Sequence, residues 1–191
     1  MAHISLPNED QLPGIRGLMA YSPATSQPMN DLAEVLLRSP DHSLTQGERE
    51  LIATYVSYLN DCWFCQNAHA SAVRCYMDED GAILAQVKQN FWQAPISEKL
   101  KTLLDIAASV QKGGKHVTAA QIEAAKTAGA SDREIHDAVL IAAAFCMFNR
   151  YVDGLGTWAP ANVEDYNASG IRIKNEGYAQ FDPLKLLRRG E

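Results

Sequence analysis

Two cysteines and one histidine have the types and spacing for thiol redox chemistry. Cys62 and Cys65 frame a C-x-x-C motif, and His69 follows four residues after Cys65. At about 100° per residue, a helix places the three side chains on one face, with Cys65 and His69 as direct neighbours. The imidazole can take the Cys65 proton, and the open amides of the first helical turn favour the thiolate. A thiolate attacks a disulfide or a peroxide, and a second nearby thiol resolves the product as a disulfide.

Two other interpretations of the motif remain open from spacing alone. The pair could be two core cysteines without chemistry. It could also belong to a zinc site, because Cys and His are good zinc ligands, but a fourth ligand would have to be recruited by the fold, for example His116 or His136. Cys75 and Cys146 lie in apolar helical runs, and we predict that they are ordinary buried residues.

Composition narrows the class of protein. The chain has 191 residues, of which 47% are apolar and 21% charged, which is ordinary for a soluble globular protein. A net charge of -6 and the lack of a large basic patch exclude a typical nucleic-acid binder. The first residues do not resemble a signal peptide, and the apolar stretch 138–148 is about half the roughly 20 residues of a membrane span. We therefore expect a cytoplasmic protein without membrane contact, where a C-x-x-C is more often catalytic or metal-binding than structural.

The elements that must position these residues are all predicted to be helical. Capping boxes begin at Thr45, Thr118 and Ser131, and Ser97 is a further N-cap. We expect a helix from about residue 62 to 75, capped by Asn60 or Asp61, and a long apolar helix to about residue 154. No segment shows useful strand alternation. The predicted fold class is all-α.

We predict one domain over residues 1–191, divided into four parts. Residues 1–29 are an extended N-terminal arm, with Pro28 opening the first helix. Residues 30–90 carry the C-x-x-C motif, and residues 95–160 form a second, degenerate half. Residues 161–191 are a C-terminal tail, whose basic cluster 185–189 we interpret as part of an amphipathic end that packs on a neighbour.

A shift of 84 residues is consistent with internal duplication. It places Glu50 on Glu134, Cys62 on Cys146, Cys65 on Asn149 and His69 on Asp153. A few matches of this kind also occur by chance in helical sequence.

With its surroundings, the motif resembles a known family signature. The spacing from Glu50 through Cys62 and Cys65 to His69 is similar to that of the alkylhydroperoxidase D (AhpD)-like branch of the carboxymuconolactone decarboxylase family. The segments 44–69, 137–145 and 149–156 and the leading Leu6-Pro…Leu12-Pro-Gly-Ile are similar to the peroxidase-related subgroup. The resemblance covers nearly the entire chain.

That resemblance implies an AhpD-like helical fold of two related halves, assembled as a homo-oligomer. Cys65 would be the peroxidatic cysteine, and Cys62 the resolving cysteine that meets the reductant. His69 would be the proton acceptor, and Glu50 the carboxylate that orients or recharges it. The substrate would be a hydroperoxide and the reductant an external dithiol, such as a lipoyl or thioredoxin-like protein. Neither a metal nor another cofactor is implied.

The chain departs from the best-known members at Phe64, where they carry a histidine between the cysteines. A proton relay through that histidine would be missing. Helix electrostatics alone would favour Cys62 as the more acidic thiol, whereas the adjacent His69 favours Cys65. We choose Cys65 as the peroxidatic cysteine, because an adjacent base can both remove and return the proton.

The other interpretation of Glu50 is a solvated carboxylate in the first turn of its helix, with no role in catalysis. The alternative functions are a redox-sensing or structural oligomer without turnover, and a muconolactone-type decarboxylase, whose members generally lack the cysteine pair.

Overall fold

The computed structural model describes residues 1–189, and side chains through residue 187. This part of the chain is all-α and contains no strand, as predicted. Residues 190 and 191 of the predicted tail, and the side chains at 188 and 189 in its basic cluster, lie outside the described residues. The helices are α1 (Ile15–Tyr21), α2 (Pro23–Arg38), α3 (Gln46–Leu59), α4 (Trp63–Tyr76), α5 (Ala82–Asn90), α6 (Glu98–Lys112), α7 (Ala119–Thr127), α8 (Asp132–Gly154), α9 (Asn167–Glu176) and α10 (Pro183–Arg189).

Local capping chemistry defines several helix starts. The capping boxes at Thr45, Thr118 and Ser131 all form, with the N-cap oxygen and the N3 side chain bonding reciprocally. Ser97 accepts the amide of Leu100 and caps α6. Each box satisfies amides that the helix itself cannot pair. These four predicted helix starts are therefore confirmed.

The predicted extended arm over residues 1–29 is wrong in its second half, because α1 and α2 are already helical there. Pro28 does not open a helix and lies inside α2, which starts instead with Pro23 at its first turn. A proline in the first turn gives up no helical hydrogen bond, whereas Pro28 removes one. The helix continues through Pro28 because its inner face buries Ala33, Leu36 and Leu37.

Helices α3, α6 and α8 form the centre of the fold and pack against one another. Their facing side chains are fully buried, as at Ile52, Leu103 and Ile141. By length and composition alone α8 could cross a membrane, but 56% of its apolar window is buried inside the fold, as in the core helix of a folded domain. The predicted long apolar helix is confirmed as a core element.

Most of the predicted C-terminal tail packs against the helices of the fold. Helix α9 packs along α4, and Gly170 makes this approach possible, since an added Cβ would lie 2.3 Å from the carbonyl oxygen of Ser71. Residues 178 and 179 are tied to α2 through Glu34, whose Oε2 accepts the amide of Tyr178 at 2.6 Å. This segment therefore covers the face of α4 that carries His69 and Ser71.

The proposed duplication stays a prediction. At a shift of 84 residues, the break between α3 and α4 falls opposite residues 144–146, which lie inside the unbroken α8. The two segments thus differ in their element boundaries, although both begin with a capping box.

Candidate active site

A tight turn between α3 and α4 places the C-x-x-C motif at a helix start. Asp61 adopts a left-handed backbone conformation (φ 57°), and the amide of Cys62 donates to the carbonyl of Ser57 at 3.0 Å. Cys62 is itself the N-cap of α4, so the expected caps Asn60 and Asp61 lie just outside the helix. Cys65 is at the third helical position, within the first turn. The predicted helix over 62–75 is confirmed within one residue at each end.

Both cysteines are free thiols in this structure and are buried, with exposed fractions of 0% for Cys62 and 4% for Cys65. The pKa of Cys62 is raised well above its ordinary value by its hydrogen bond with the Cys65 side chain and by burial. Cys62 also hydrogen-bonds to Asp153 of α8, and the pKa of that carboxyl is raised, chiefly by burial. Cys62 is therefore the thiol that keeps its proton, and it directs this proton toward Cys65 or Asp153.

Glu50, His69 and Tyr178 form a hydrogen-bonded triad. His69 Nδ1 lies 2.7 Å from Glu50 Oε2, and the Tyr178 hydroxyl donates to Glu50 Oε1 at 2.6 Å. The same hydroxyl is 3.3 Å from His69 Nδ1, and the two rings stack with centroids 6.0 Å apart. Glu50 is fully buried, so the alternative of a solvated first-turn carboxylate is wrong.

The triad defines the state of the imidazole. Burial and the negative charge of Glu50 raise the pKa of Tyr178 well above its ordinary value, so the phenol stays protonated and donates. A carboxylate facing Nδ1 favours the tautomer that carries its proton there. Nε2 of His69 is then the nitrogen that can accept a proton. The ring is further held by Phe145, which meets it edge-on at 4.6 Å between centroids.

Cys65 and His69 line one cavity of about 80 Å³. Among the described residues, no hydrogen bond joins the two side chains; His69 bonds instead to Glu50 and Tyr178. A proton from Cys65 would thus reach His69 through a molecule in the cavity or after a small side-chain movement. The other lining residues come mainly from α1, α2, α8, α9 and the segment after α9: Ile15, Arg16, Met19, Met29, Asn30, Ala33, Phe64, Ala68, Phe145, Phe148, Ser169, Arg172, Ile173, Tyr178 and Phe181.

The two aromatic residues between the cysteines have different environments. Phe64 is buried, lines the cavity and packs at 5.8 Å between ring centroids against Tyr166. Gly14 allows this position, because an added Cβ would lie 2.2 Å from the Phe64 ring. Trp63 is 44% exposed, donates its indole N–H to Pro160 and does not line the cavity. Phe64 thus offers an apolar wall where a histidine would offer a proton donor.

Other cysteines and histidines lie away from this site. Cys75 and Cys146 are half-buried, and not buried as predicted. His136 bonds to Asp137 at 2.9 Å, and His116 lies in a short exposed turn. Within residues 1–189, no group of three or more His, Cys, Asp or Glu side chains is arranged to hold a metal ion.

Sequence reasoning missed the contributions of the C-terminal segment. Tyr178 completes the triad from 128 residues after Glu50, and Arg172 enters the cavity wall from α9. A lone tyrosine in a segment without periodicity carries no local signal of this role.

Comparisons with known proteins agree with this architecture. The profile of the carboxymuconolactone decarboxylase family matches residues 23–76 and 81–159, more than half of the chain. Among solved structures, the alkylhydroperoxidase AhpD core of an uncharacterized peroxidase-related protein from Ralstonia eutropha JMP134 is similar, with a TM-score of 0.74 and 24% identity over 88% of this chain and 96% of that chain. An uncharacterized peroxidase-related protein from Silicibacter sp. TM1040 is similar with a TM-score of 0.71 and 25% identity, over 86% of this chain and 90% of that chain. No curated protein matches.

The chain belongs to the carboxymuconolactone decarboxylase family. The resemblance to its AhpD-like, peroxidase-related branch that the sequence indicates is confirmed, as is the AhpD-like helical fold.

Proposed function

We propose that this protein is a thiol-dependent peroxidase that reduces organic hydroperoxides through Cys65 and Cys62. The observation that carries the proposal is that Cys65 and His69 line the same cavity. The buried carboxylate of Glu50 and the hydroxyl of Tyr178 fix the orientation of the His69 imidazole. This arrangement provides a nucleophile, a base and a neighbouring second thiol in an apolar pocket.

In the first step, Cys65 attacks the hydroperoxide. His69 Nε2 accepts the Cys65 proton, and the thiolate attacks the terminal oxygen of the peroxide. The O–O bond breaks, Cys65 becomes a sulfenic acid, and the alkoxide leaves as an alcohol after taking the proton back from His69. Glu50 and Tyr178 hold the imidazole and stabilise the positive charge that it carries between these events.

In the second step, Cys62 resolves the sulfenic acid. Its sulfur forms a bond to Cys65 Sγ, and the hydroxyl leaves as water together with the Cys62 proton. Asp153 contacts Cys62 and can accept that proton during the attack. The raised pKa of Cys62 suits this order, because Cys62 remains a protonated thiol while Cys65 reacts first.

The burial of the two sulfurs determines which end of a Cys62–Cys65 disulfide a reductant can reach. Cys62 has no exposed surface, which does not fit the expectation that Cys62 itself meets the reductant, whereas Cys65 faces the cavity. We therefore propose attack on Cys65 by an external dithiol that enters the cavity, which leaves Cys62 as the released thiol. A lipoyl group on a flexible arm suits this path better than a thiol fixed on a broad protein surface.

We further propose a cytoplasmic homo-oligomer. Leu140 and Met147 lie seven residues apart on the outer face of α8 and are 40% and 47% exposed. Exposed apolar side chains at this spacing share one helix face, as residues at a subunit contact do. Light scattering after size-exclusion chromatography measures the mass directly.

Peptide-mapped thiol counting tests the function. After one equivalent of cumene hydroperoxide, the wild-type protein should contain a Cys62–Cys65 disulfide, and Cys65→Ser should remain reduced. Cys62→Ser should stop at a sulfenic acid that dimedone traps. Cys75→Ser, outside the cavity, should behave as the wild type.

Steady-state assays separate the alternatives. Repeated peroxide consumption with dihydrolipoamide supports a peroxidase, whereas a single oxidation without turnover indicates a redox sensor. Unreactive thiols in the wild-type protein would contradict both. Release of CO₂ from a muconolactone-type substrate by Cys65→Ser would identify the decarboxylase alternative.

A further inference from the structure

Two arginines stand in the mostly apolar wall of the cavity. Arg16 comes from α1 and Arg172 from α9. Within residues 1–187, Arg16 makes one hydrogen bond, from Nη2 to Ser169 Oγ at 2.7 Å, and Arg172 makes one, from Nη1 to the carbonyl of Gly177 at 2.8 Å. A guanidinium has five N–H donors, so most donors of both side chains are not used by the protein.

One of these donors is buried without a partner. The Nε of Arg172 is shielded from solvent and has no acceptor. Leaving such an atom unpaired costs free energy, because it loses its hydration and gains no hydrogen bond, and native structures rarely keep one without a reason. An acceptor that enters the cavity beside Arg172 would remove this cost after a small side-chain adjustment.

The electrostatics of this wall favour an anion. No ion pair to either guanidinium is found within the part of the chain whose side chains are described. Burial and the charge of Arg172 lower the pKa of Arg16 to about 10. Burial also lowers the pKa of Arg172, against the opposing influence of Tyr178, Glu176 and Glu50. The two cations are thus poorly solvated and close enough to repel each other, and one shared anion would relieve both effects.

The size and opening of the cavity bear on the shape of the ligand. Its volume is about 80 Å³ and it is partly open to solvent, so part of a bound ligand can extend into the opening. Ile15, Met19 and Phe148 form apolar parts of its wall. These surfaces suit a short aliphatic chain between a polar head at the arginines and a reactive group at Cys65.

We propose that the cavity binds short-chain hydroperoxides that carry a carboxylate, held by Arg16 and Arg172, while the hydroperoxide group faces Cys65 and His69. This assignment of substrate class rests on the proposed peroxidase function. The reaction is the two-electron reduction already described, and the product is the corresponding hydroxy acid. The competing explanation, in which the arginines only balance the charge of Glu50, predicts no preference between anionic and neutral ligands.

Calorimetric titration with unreactive probes tests the anion site without any turnover. Hexanoate should bind the reduced wild-type protein at least tenfold more tightly than hexanamide, because a charged acceptor forms stronger hydrogen bonds with a guanidinium than a neutral amide does. Arg16→Gln and Arg172→Gln should each abolish this preference. Arg150→Gln, which changes an exposed arginine of α8 outside the cavity, should retain it. Equal binding of the two probes by the wild type, or an unchanged preference in both cavity variants, overturns the proposal.

Arg172 also packs on Phe181, with its guanidinium 4.1 Å from the ring centroid, and Arg172→Gln could fail to fold for this reason. If it does, the comparison of hexanoate with hexanamide on the wild type and Arg16→Gln decides the question.

Oxidation rates of Cys65 with hydroperoxyhexanoic acid and its methyl ester separate the proposed substrate class from the proposed peroxidase function. A faster reaction with the acid, lost in Arg16→Gln, supports the substrate class. Equal rates contradict it and leave the peroxidase function intact, whereas arginine-dependent hexanoate binding without oxidation by either compound contradicts only the peroxidase function.

Discussion

Replacing Tyr178 by phenylalanine removes one hydroxyl and keeps the ring that stacks on His69. Glu50 Oε1 then loses its donor at 2.6 Å and has no solvent to replace it, because Glu50 is fully buried. A hydrogen bond to a charged group contributes about 1.5–3 kcal/mol. If this whole contribution orients the imidazole during proton transfer, the oxidation of Cys65 slows by about 10- to 150-fold.

Quenched-flow thiol trapping measures this effect. Reduced Tyr178→Phe and wild-type protein are mixed with cumene hydroperoxide, and alkylated peptides are counted over time. Oxidation of Cys65 should slow, while the later closure of the disulfide with Cys62 should keep its rate, a split that general loosening of the fold would not produce. Tyr21→Phe, at an exposed position, is the matched control and should be unchanged. An oxidation rate of Tyr178→Phe within twofold of the wild type would refute the role of the phenol.

Two further predictions concern stability. Gly14→Ala should lower the free energy of unfolding by about 2–5 kcal/mol in urea titrations, because strain at its positive φ adds to overpacking against Phe64. Gly129→Ala has a positive φ but open space around its Cβ, so it should cost only the strain of about 1–2 kcal/mol, and equal losses in the two variants would contradict the contact argument. For Asp137, burial raises the pKa, but hydrogen bonds from two histidines and an arginine outweigh burial and lower it overall. Its folded pKa therefore lies below the unfolded value of about 3.9, so the stability that Asp137→Asn removes should be present above about pH 4 and should shrink as the pH falls further. A difference between variant and wild type that stays constant down to pH 2 would contradict this assignment.

The elements that could be predicted from the sequence are those determined by local physics. The boxes at Thr45, Thr118 and Ser131 are each closed within four residues, so a capping pattern alone identifies them. The shared face of Cys65 and His69 is likewise a property of one helix. The contact of Glu50 with His69 needed only the tight turn between α3 and α4, which the sequence indicated at Asn60 and Asp61.

The errors occur where tertiary contacts decide. Pro28 is a helix opener by its own preferences, yet it lies inside α2 because the apolar face of that helix packs on the core. Residues 161–181 have no strong periodicity, and their structure depends on Gly170 approaching α4 and on Glu34 holding the amide of Tyr178. Contacts of this kind join residues more than 90 positions apart, and no local pattern encodes them.

The dependence on the C-terminal segment has a mechanistic consequence for the base. Both oxygens of Glu50 are occupied, one by His69 and one by Tyr178, and neither faces a cysteine as a free acceptor. In the mechanism that we propose, Glu50 therefore does not deprotonate Cys65 directly, and it holds and charges the imidazole. Proton transfer in this mechanism uses His69 Nε2. Because Tyr178 completes the hydrogen-bonded triad, the proposed reactivity of a motif on α4 depends on a segment that also forms the cavity wall. The proposed mechanism therefore couples binding in the cavity to the activation of Cys65.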